Sequence, residues 1–472
     1  MLFPTVQFAA FFTVVFVGSW LLMQYPVRWR WFMLAASYFF YGYWDYRFIA
    51  LLAGSTMFNQ AVATAMARRR LAPRPLVAIA VAGNLAVLAF FKYYGFFVTS
   101  AVAASERLGF SVAPPLLDII LPVGISFFTF QALSYVIDIY RERIQPAPSL
   151  DFAVYLAFFP QLVAGPIVRG SEFLPQLRKP RDPRRIDATR AFYLIFIGLA
   201  KKIVIADFLA SNIVDVTFAT PGRFSSLELL VGLYAYSVQI YADFSAYSDI
   251  AIGVAQLLGF RFPDNFNSPY AAVSIQDFWR RWHMTLSRWL RDYLYIPLGG
   301  NRGSALVTYR NLMLTMLLGG LWHGASWTFV FWGGLHGTWL VLEHQRRRLR
   351  ERRGLPAPPS TPGRIALQRL ITFNLVSFAW IFFRSPSFSQ AWEFIARLAT
   401  GGTGVDAISP ALLLAIAIGI GAQYVPRGAV SLGLDRLSRL RPSAQGALLG
   451  AGLVAIDALG PQGVASFIYF QF

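Results

Sequence analysis

The sequence predicts an all-α protein that crosses a membrane many times, and two observations carry this prediction. Hydrophobic residues make up 56% of the 472 residues, aromatic residues 16% and charged residues only 14%. Soluble domains carry about 25% charged residues, because their surfaces must be solvated. The apolar residues also fall in runs close to the roughly 20 residues with which a helix crosses a bilayer. We therefore expect the lipid bilayer to surround one membrane domain, 1–472.

Charge and cysteine content exclude other classes of protein. The 42 Lys and Arg residues exceed the 23 Asp and Glu residues, which gives a formal net charge of +19, and cysteine is absent. Without cysteine, disulfide frameworks, thiolate metal sites and a cysteine nucleophile are ruled out. The basic residues lie in short clusters between apolar runs, as in polytopic proteins, so no nucleic-acid partner is expected. No metal-binding or nucleotide-binding motif occurs, so neither a metal nor a bound cofactor is expected.

The apolar runs predict about eleven or twelve spanning helices. They lie at 4–25, 31–44, 48–66, 76–98, 116–139, 191–210, 227–258, two short segments within 311–345, 366–383, 409–425 and 446–468. The basic clusters that we expect in the cytoplasm are Arg28/Arg30, Arg68–Arg70, Arg141/Arg143, the loop 169–190, Arg280–Arg291, Arg346–Arg353 and Arg436–Arg441. Because positive charge favours the cytoplasmic side, the N-terminus is expected outside.

These segments group into four regions of the predicted membrane domain. N-terminal helices occupy 1–140, a core follows at 150–345, and C-terminal helices occupy 364–472. Between the last two, RRRLRERRGLPAPPSTPG (346–363) is basic and then Pro-rich, which predicts a flexible cytoplasmic linker.

Two stretches of the core do not fit a simple span. In 151–168, Pro160, Gly165 and Pro166 interrupt an apolar run that has basic loops on both sides. Broken backbone at membrane depth is tolerated only inside protein or beside a wet cavity, so we expect a re-entrant hairpin here. The stretch 261–305 is aromatic and charged at once.

Helical spacing organises the aromatic side chains of this second stretch. Phe278, Trp282, Leu286, Trp289 and Tyr293 recur along one side, with Arg281, Arg288 and Asp292 on the other. This pattern predicts an amphipathic helix at the cytoplasmic interface.

Four histidines, at positions 283, 323, 336 and 344, are the residues best suited to exchange protons near neutral pH. His323 lies in LLGGLWHGASW, where Gly319, Gly320 and Gly324 leave room for another backbone or a narrow substrate. An ionisable residue in such an apolar helix indicates function, although a neutral histidine bonded to a neighbouring helix is the structural alternative.

The other histidines differ in their settings. His336 lies 13 residues beyond His323, about 20 Å and roughly 220° away on a continuous helix, so only one of them is expected at a reaction centre. Nothing in the spacing decides which. His344 beside Arg346 is expected at the interface, and His283 on the apolar flank of the amphipathic helix is expected to pack or to cover a site.

Further polar residues extend the candidate site. Arg280, Arg281 and Arg288 either anchor the protein at the membrane interface or bind a phosphorylated donor or an acidic carrier protein on the cytoplasmic side. Trp279 and Trp322 are further candidates for this donor-binding site. Asp243 and Asp249 bracket YADFSAYSD, near Lys201 and Lys202. They predict a polar network that lines a cavity or, equally, polar contacts between helices.

Two long motifs resemble one known family. FWRRWHMTLSRWLRDYLYIPLGG (Phe278–Gly300) followed by GGLWHGASW (Gly319–Trp327) resembles the membrane-bound O-acyltransferase (MBOAT) family. FFPQLVAGPIVR (Phe158–Arg169) is similar to its bacterial alginate O-acetyltransferase branch, and the C-terminal FIYFQF also fits. The resemblance implies a ring of tilted helices with re-entrant segments around a thin centre, where funnels from both faces meet.

The resemblance also implies roles for the histidines. The family's invariant histidine, in its WHG motif, maps onto His323, and the second polar position of the family maps onto His283, whereas His336 has no counterpart and is expected to be structural. Transfer of an acyl group from a thioester to a hydroxyl needs a base and a stabilised oxyanion. We expect His323 to be the base, and His283 or a backbone N–H near a glycine turn to stabilise the thioester carbonyl.

The expected reaction is O-acetylation of an extracytoplasmic polysaccharide, such as alginate, at a bacterial cytoplasmic (inner) membrane. The expected donor is acetyl-CoA or an acyl-carrier thioester from the cytoplasm, and an extracytoplasmic acetyltransferase is the expected partner that carries acetyl to the polymer. A transporter or flippase, and a non-catalytic scaffold for a periplasmic acetyltransferase, are the alternatives.

Overall fold

The computed structural model describes residues 1–68, 72–111, 114–115, 117–356, 358–461, 463, 465 and 467–468. Arg69 and Arg70 of a predicted cytoplasmic cluster and residues 469–472 of FIYFQF lie outside this part. Within the described ranges the regular structure is helical, which confirms the all-α class. The chain forms an N-terminal unit, Met1–Ile186 with Val254–Pro263, and a C-terminal unit, Asp187–Gly253 with Asp264–Phe472. A single domain over 1–472 stays a prediction.

The N-terminal unit contains nine of the described α-helices. They are α1 (Val6–Leu21), α2 (Pro26–Gly42), α3 (Arg47–Ala67), α4 (Pro73–Leu88), α5 (Tyr94–Arg107), α6 (Ile125–Tyr140), α7 (Ser149–Ala157), α8 (Phe159–Leu162) and α9 (Gly170–Arg178). The predicted span 116–139 is wrong at its start, because α6 begins only at Ile125. Gly124 turns the chain there with φ of +74°, and a Cβ at this position would lie 2.4 Å from the carbonyl oxygen of Leu162.

The stretch 151–168 is a broken pair of helices, as its prolines and glycine predict. α7 ends at Ala157, and α8 is a single turn before a bend and an extended segment. Gln161 Nε2 donates to the carbonyl of Tyr155 at 2.6 Å, and the Tyr155 hydroxyl donates to the carbonyl of Val168 at 2.9 Å. Two carbonyls of the interrupted backbone therefore accept from buried side chains, in keeping with a break that lies inside protein. Its re-entry from one membrane face stays a prediction.

The C-terminal unit contains the remaining described α-helices. They are α10 (Ala188–Ala200), α11 (Asp215–Ala219), α12 (Ser226–Leu257, whose last turn belongs to the N-terminal unit), α13 (Ile275–Trp279), α14 (Met284–Leu290), α15 (Ala305–His323), α16 (Trp327–Arg352), α17 (Pro362–Arg384), α18 (Phe388–Thr400), α19 (Pro410–Gly421), α20 (Arg427–Ser438) and α21 (Pro442–Leu459).

Several described helices have the length and composition of membrane spans. Arg47–Ala67, Pro73–Arg107, Pro362–Arg384 and Pro442–Leu459 pass both criteria, and Pro410–Tyr424 with Gly428–Ser438 passes as one pair bent by 94°. α1 and α6 are apolar but have only 16 residues each. These helices support a multi-pass membrane protein. Eleven or twelve spans in a ring stay a prediction.

The predicted amphipathic helix is wrong as one continuous element. α13 ends at Trp279, residues 280–283 form a turn, and α14 begins at Met284. His283 at the break has φ of +40°, in the left-handed region. The predicted apolar side chains are nevertheless buried, so the pattern identified the inward-facing residues although the helix breaks between them.

Close backbone contact joins α15 and α16 into a hairpin. A Cβ at Gly320 would lie 2.3 Å from the carbonyl oxygen of Phe329, and a Cβ at Gly333 would lie 2.2 Å from that of Met316. The room beside Gly320 is therefore taken by another backbone, one of the two occupants that the sequence allows. The break between the two helices lies at 324–326, whereas Gly333–Gly334 lies inside α16.

Gly333→Ala should destabilise this hairpin, because the added methyl meets backbone rather than a movable side chain. We expect a loss of about 1–3 kcal/mol in unfolding free energy, the usual cost of overpacking. The measurement is the thermal unfolding midpoint of the detergent-purified protein. Gly334→Ala is the matched control, since its Cβ would lie 3.6 Å from Leu317, and an equal loss in both variants would contradict the close contact.

Candidate active site

His323 is the last residue of α15, and local backbone chemistry places it there. Gly324 ends the helix in an extended conformation with φ of −157°, and the Ser326 hydroxyl accepts from the N–H of Thr328 to begin α16. A Cβ at Gly324 would lie 2.1 Å from the Phe329 ring, so a larger residue here would displace that ring. The motif therefore turns the chain immediately after its histidine.

Aromatic rings surround the His323 side chain, which is 3% exposed. The ring centroid of His323 lies 5.0 Å from Trp322, 5.1 Å from Trp332 and 5.3 Å from Phe383. Apolar rings exclude water, and the hydrogen bonds and charges that form in such a site are stronger than in water. An imidazole in this position is suited to proton transfer from a bound group rather than from solvent.

His283 occupies the strained turn between α13 and α14 and is fully buried. Its Nδ1 lies 3.1 Å from Oδ1 of Asn265, and the edge of Phe244 packs against its ring with centroids 4.6 Å apart. A non-glycine residue in the left-handed region costs about 1–3 kcal/mol and is held there by its surroundings, often at functional sites. Burial lowers the pKa of His283 to about 3, so the ring is neutral at physiological pH.

Trp322 brings the two predicted catalytic histidines into one cluster. Its ring centroid lies 5.0 Å from that of His323 and 6.0 Å from that of His283. The sequence separates these histidines by 40 residues, and the fold brings both of them near a single indole. The structure therefore places both histidines near one indole, and their membership of one catalytic site stays a prediction.

Asn265 is a polar residue of this site that sequence reasoning missed. Its Oδ1 accepts from the backbone N–H of Thr285 at 3.3 Å and from the Thr285 hydroxyl at 2.9 Å. Its Nδ2 donates to the hydroxyl of Ser248 at 3.0 Å, and its side chain is buried. The polar run DNFNS just before the FWRRWH motif is the signal that could have identified it.

His336 has a different environment, and its structural role stays a prediction. It is fully buried on α16, where its Nδ1 accepts from Nε1 of Trp279 at 3.3 Å. Its ring lies 4.8 Å from Trp332 and 5.2 Å from Trp279, measured between centroids. Trp279, predicted on the donor side, therefore joins α13 to α16 through this histidine.

The three arginines of the predicted donor surface differ in exposure. Arg280 is exposed and Arg288 is half-buried. Arg281 pairs with Asp277 at 2.9 Å and also donates to the carbonyl of Asn267 at 3.4 Å, so part of its guanidinium is engaged within the protein. Arg280 is the member of this group best placed to meet a partner from solvent.

Each predicted network aspartate pairs with a lysine of a neighbouring π-helical segment, Lys201–Asp207. Asp243 lies 3.0 Å from Lys202, which also contacts Asp207 at 2.8 Å, and all three are buried. Asp249 pairs with Lys201. These are the polar contacts between helices that the sequence allowed as one alternative, and the lining of a cavity by Asp243 and Asp249 stays a prediction.

Comparison with known proteins identifies relatives over most of the chain. The MBOAT, membrane-bound O-acyltransferase family model matches residues 124–384. A probable alginate O-acetylase of Azotobacter vinelandii is 43% identical over 410 residues, 85% of this chain and 79% of that protein. Its Pseudomonas aeruginosa counterpart is 42% identical over 409 residues, 85% and 76% of the two chains. A peptidoglycan O-acetyltransferase of Helicobacter pylori is 38% identical over 442 residues, 87% and 81% of the two chains.

The matched region contains the motifs that position His283 and His323, together with the broken helix pair at 151–168. Because the family match covers more than half of the chain and these relatives are 38–43% identical to it over the aligned residues, the chain belongs to the membrane-bound O-acyltransferase family, in its bacterial alginate O-acetyltransferase branch, and is an acyltransferase.

Proposed function

We propose that this enzyme transfers an acetyl group from a cytoplasmic thioester, across the membrane, for O-acetylation of an extracytoplasmic polysaccharide such as alginate. The observation that carries the proposal is the buried pair His283 and His323, joined by Trp322. Similarity to alginate O-acetylases supports acetyl as the group and a polysaccharide as the final acceptor. Acetyl-CoA or an acyl-carrier thioester is the proposed donor, and the cytoplasmic (inner) membrane is the proposed location.

His323 is the proposed general base. The acceptor hydroxyl oxygen bonds to the thioester carbonyl carbon while His323 takes its proton, and the C–S bond then breaks. The proton passes from the imidazole to the leaving sulfur, which gives a thiol and an ester and restores the base. A positioned base of this kind contributes typically 10²–10⁴-fold to the rate. The rings around His323 support the proposal, because excluded water cannot hydrolyse the thioester.

Two alternative functions are compatible with the same helices. One is a transporter or flippase, and the other is a non-catalytic scaffold for a periplasmic acetyltransferase. Neither needs two buried imidazoles near one indole. Acetyl turnover from acetyl-CoA by the purified protein in detergent distinguishes the enzyme from these alternatives. Transport without acetyl turnover would favour a transporter or flippase. Absence of both transport and turnover would favour a scaffold.

His323→Ala should abolish acetyl transfer while the protein stays folded and inserted. Removal of one imidazole leaves a small void that costs a few kcal/mol at most by the usual scale, about 2–5 kcal/mol for large-to-small changes. The chemical step should slow by about 10²–10⁴-fold, because its base is lost. The measurement is acetyl-CoA turnover together with the thermal midpoint.

His336→Ala is the control for this experiment. It removes an equally buried imidazole one helix away, and much of the activity should survive. Undiminished transfer by His323→Ala would refute the proposed base.

Arg280→Glu with Arg288→Glu should weaken the use of donor without changing acceptor preference. Charge-assisted hydrogen bonds are worth about 1.5–3 kcal/mol each, so loss of both should raise KM for acetyl-CoA by about a hundredfold or more. Arg302→Glu reverses an exposed charge outside the Arg280–Arg291 cluster and should leave KM unchanged. An unchanged KM in the double variant would remove these arginines from the donor site.

The purified chain alone should accept acetyl donor yet fail to acetylate polysaccharide. The segments at 99–115 and 211–226, which we expect on the outer face, are too short to form a saccharide-binding groove. A separate extracytoplasmic acetyltransferase is therefore the proposed partner. The measurement is acetyl content of alginate incubated with donor and enzyme, with and without an extract of extracytoplasmic proteins. Acetylated polymer in the absence of any partner would contradict this expectation.

A further inference from the structure

We propose that Asn265 is a positioning residue that fixes the tautomer of His283, with the hydrogen on Nδ1 and the lone pair on Nε2. This proposal deepens the proposed acyl transfer and rests on it, because it assigns His283 a direction of hydrogen bonding in that reaction. The side chains that carry the argument are Asn265, His283, Thr285 and Ser248, all of which are buried.

The backbone N–H of Thr285 determines the orientation of the Asn265 amide. A backbone N–H can only donate, and the N–H of Thr285 points to Oδ1 of Asn265 at 3.3 Å. If the amide were flipped, two donors would face each other there, and the Thr285 N–H would lose its acceptor. The atom that faces Thr285 and His283 is therefore the oxygen, while Nδ2 donates to Ser248 at 3.0 Å.

The tautomer of His283 then follows from the amide. Its Nδ1 lies 3.1 Å from an oxygen that has no hydrogen, so Nδ1 must be the donor. A neutral imidazole carries one N–H, and the bond made by one ring nitrogen decides the state of the other. With the hydrogen on Nδ1, Nε2 of His283 holds a lone pair.

Asn265 also makes a hydrogen bond to the backbone next to His283. Its carbonyl accepts from the N–H of Met284 at 2.9 Å, directly after the left-handed residue His283. Two residues further on, the N–H of Asn267 donates to the carbonyl of Arg281 at 2.9 Å. The same short loop therefore fixes both the φ of His283 and the direction of its ring, which is the preorganisation that a catalytic group requires.

This tautomer changes the role that His283 can have. A lone pair accepts a hydrogen bond or a proton, but it cannot stabilise a carbonyl oxygen that becomes negative. His283 therefore accepts a hydrogen bond at Nε2, through which it orients a hydroxyl, while His323 remains the proposed base. Of the two sequence-based expectations for the thioester carbonyl, stabilisation by a backbone N–H is the one compatible with the geometry.

The tautomer can be measured without acyl transfer. In the full-length protein labelled with ¹⁵N-histidine, long-range ¹H–¹⁵N spectra distinguish a protonated ring nitrogen from one with a lone pair, and His283→Asn identifies the signals. We expect protonated Nδ1 in the native protein and in Ser248→Ala, which removes only the amide's other partner. In Asn265→Ala we expect a shift towards protonated Nε2. Protonated Nε2 in the native protein would overturn the proposal.

Kinetics then separate positioning from packing. Asn265→Ala should lower the rate of acetyl transfer by about 10–100-fold, as removal of a partner that orients an imidazole does in other sites. Asn265→Asp keeps an acceptor oxygen of nearly the same shape and should restore most of the rate, and Ser248→Ala should retain it. If Asn265→Ala does not fold, the native, Asn265→Asp and Ser248→Ala spectra still decide the tautomer.

Two further results would overturn the proposal: loss of the Nδ1–H tautomer in Ser248→Ala, or an Asn265→Asp variant as slow as Asn265→Ala. Failure of the proposed function has a different signature. In that case no variant transfers acetyl, whereas the spectra still report the same tautomer.

Discussion

The contact between the backbones of α15 and α16 is the constraint on which the site depends. Gly320 and Gly333 let each helix lie against a carbonyl of the other, closer than any side chain would allow. This contact places His323 at the end of one helix and Trp332 on the other, with rings 5.1 Å apart. Tight packing of small residues is also how helices associate in a membrane, where hydrophobic burial supplies little net attraction between them.

Around this hairpin the aromatic rings give the histidines different surroundings. Trp322 packs near both His283 and His323. Trp279 and Trp332 pack on His336, and Nε1 of Trp279 donates to its Nδ1. Three imidazoles therefore share one aromatic region but not one environment. Edge-to-face packing of rings fixes their orientation as well as excluding water, so that a ring nitrogen can be directed at a reacting group.

Many of the buried residues around the site could be predicted from the sequence, and particular residues show the limit of that prediction. Period and composition correctly indicated that Phe278, Trp282 and Leu286 face inward, because burial follows the spacing of apolar residues. They could not show that the helix breaks at His283, because a left-handed residue is imposed by tertiary hydrogen bonds rather than by its own propensity. Asn265 was missed for the same reason, since its partners lie 17 to 20 residues away.

The sequence by itself determined the all-α membrane class, the absence of cysteine chemistry, the break at 151–168 and the residues of the WHG motif, since each depends on composition or on local backbone chemistry. Only the tertiary structure decided that His283 and His323 both lie near Trp322, that His336 is bonded to Trp279, and that Asp243 and Asp249 pair with adjacent lysines. These are contacts between segments distant in the chain, and their partners are selected by how the helices pack, which no local pattern specifies.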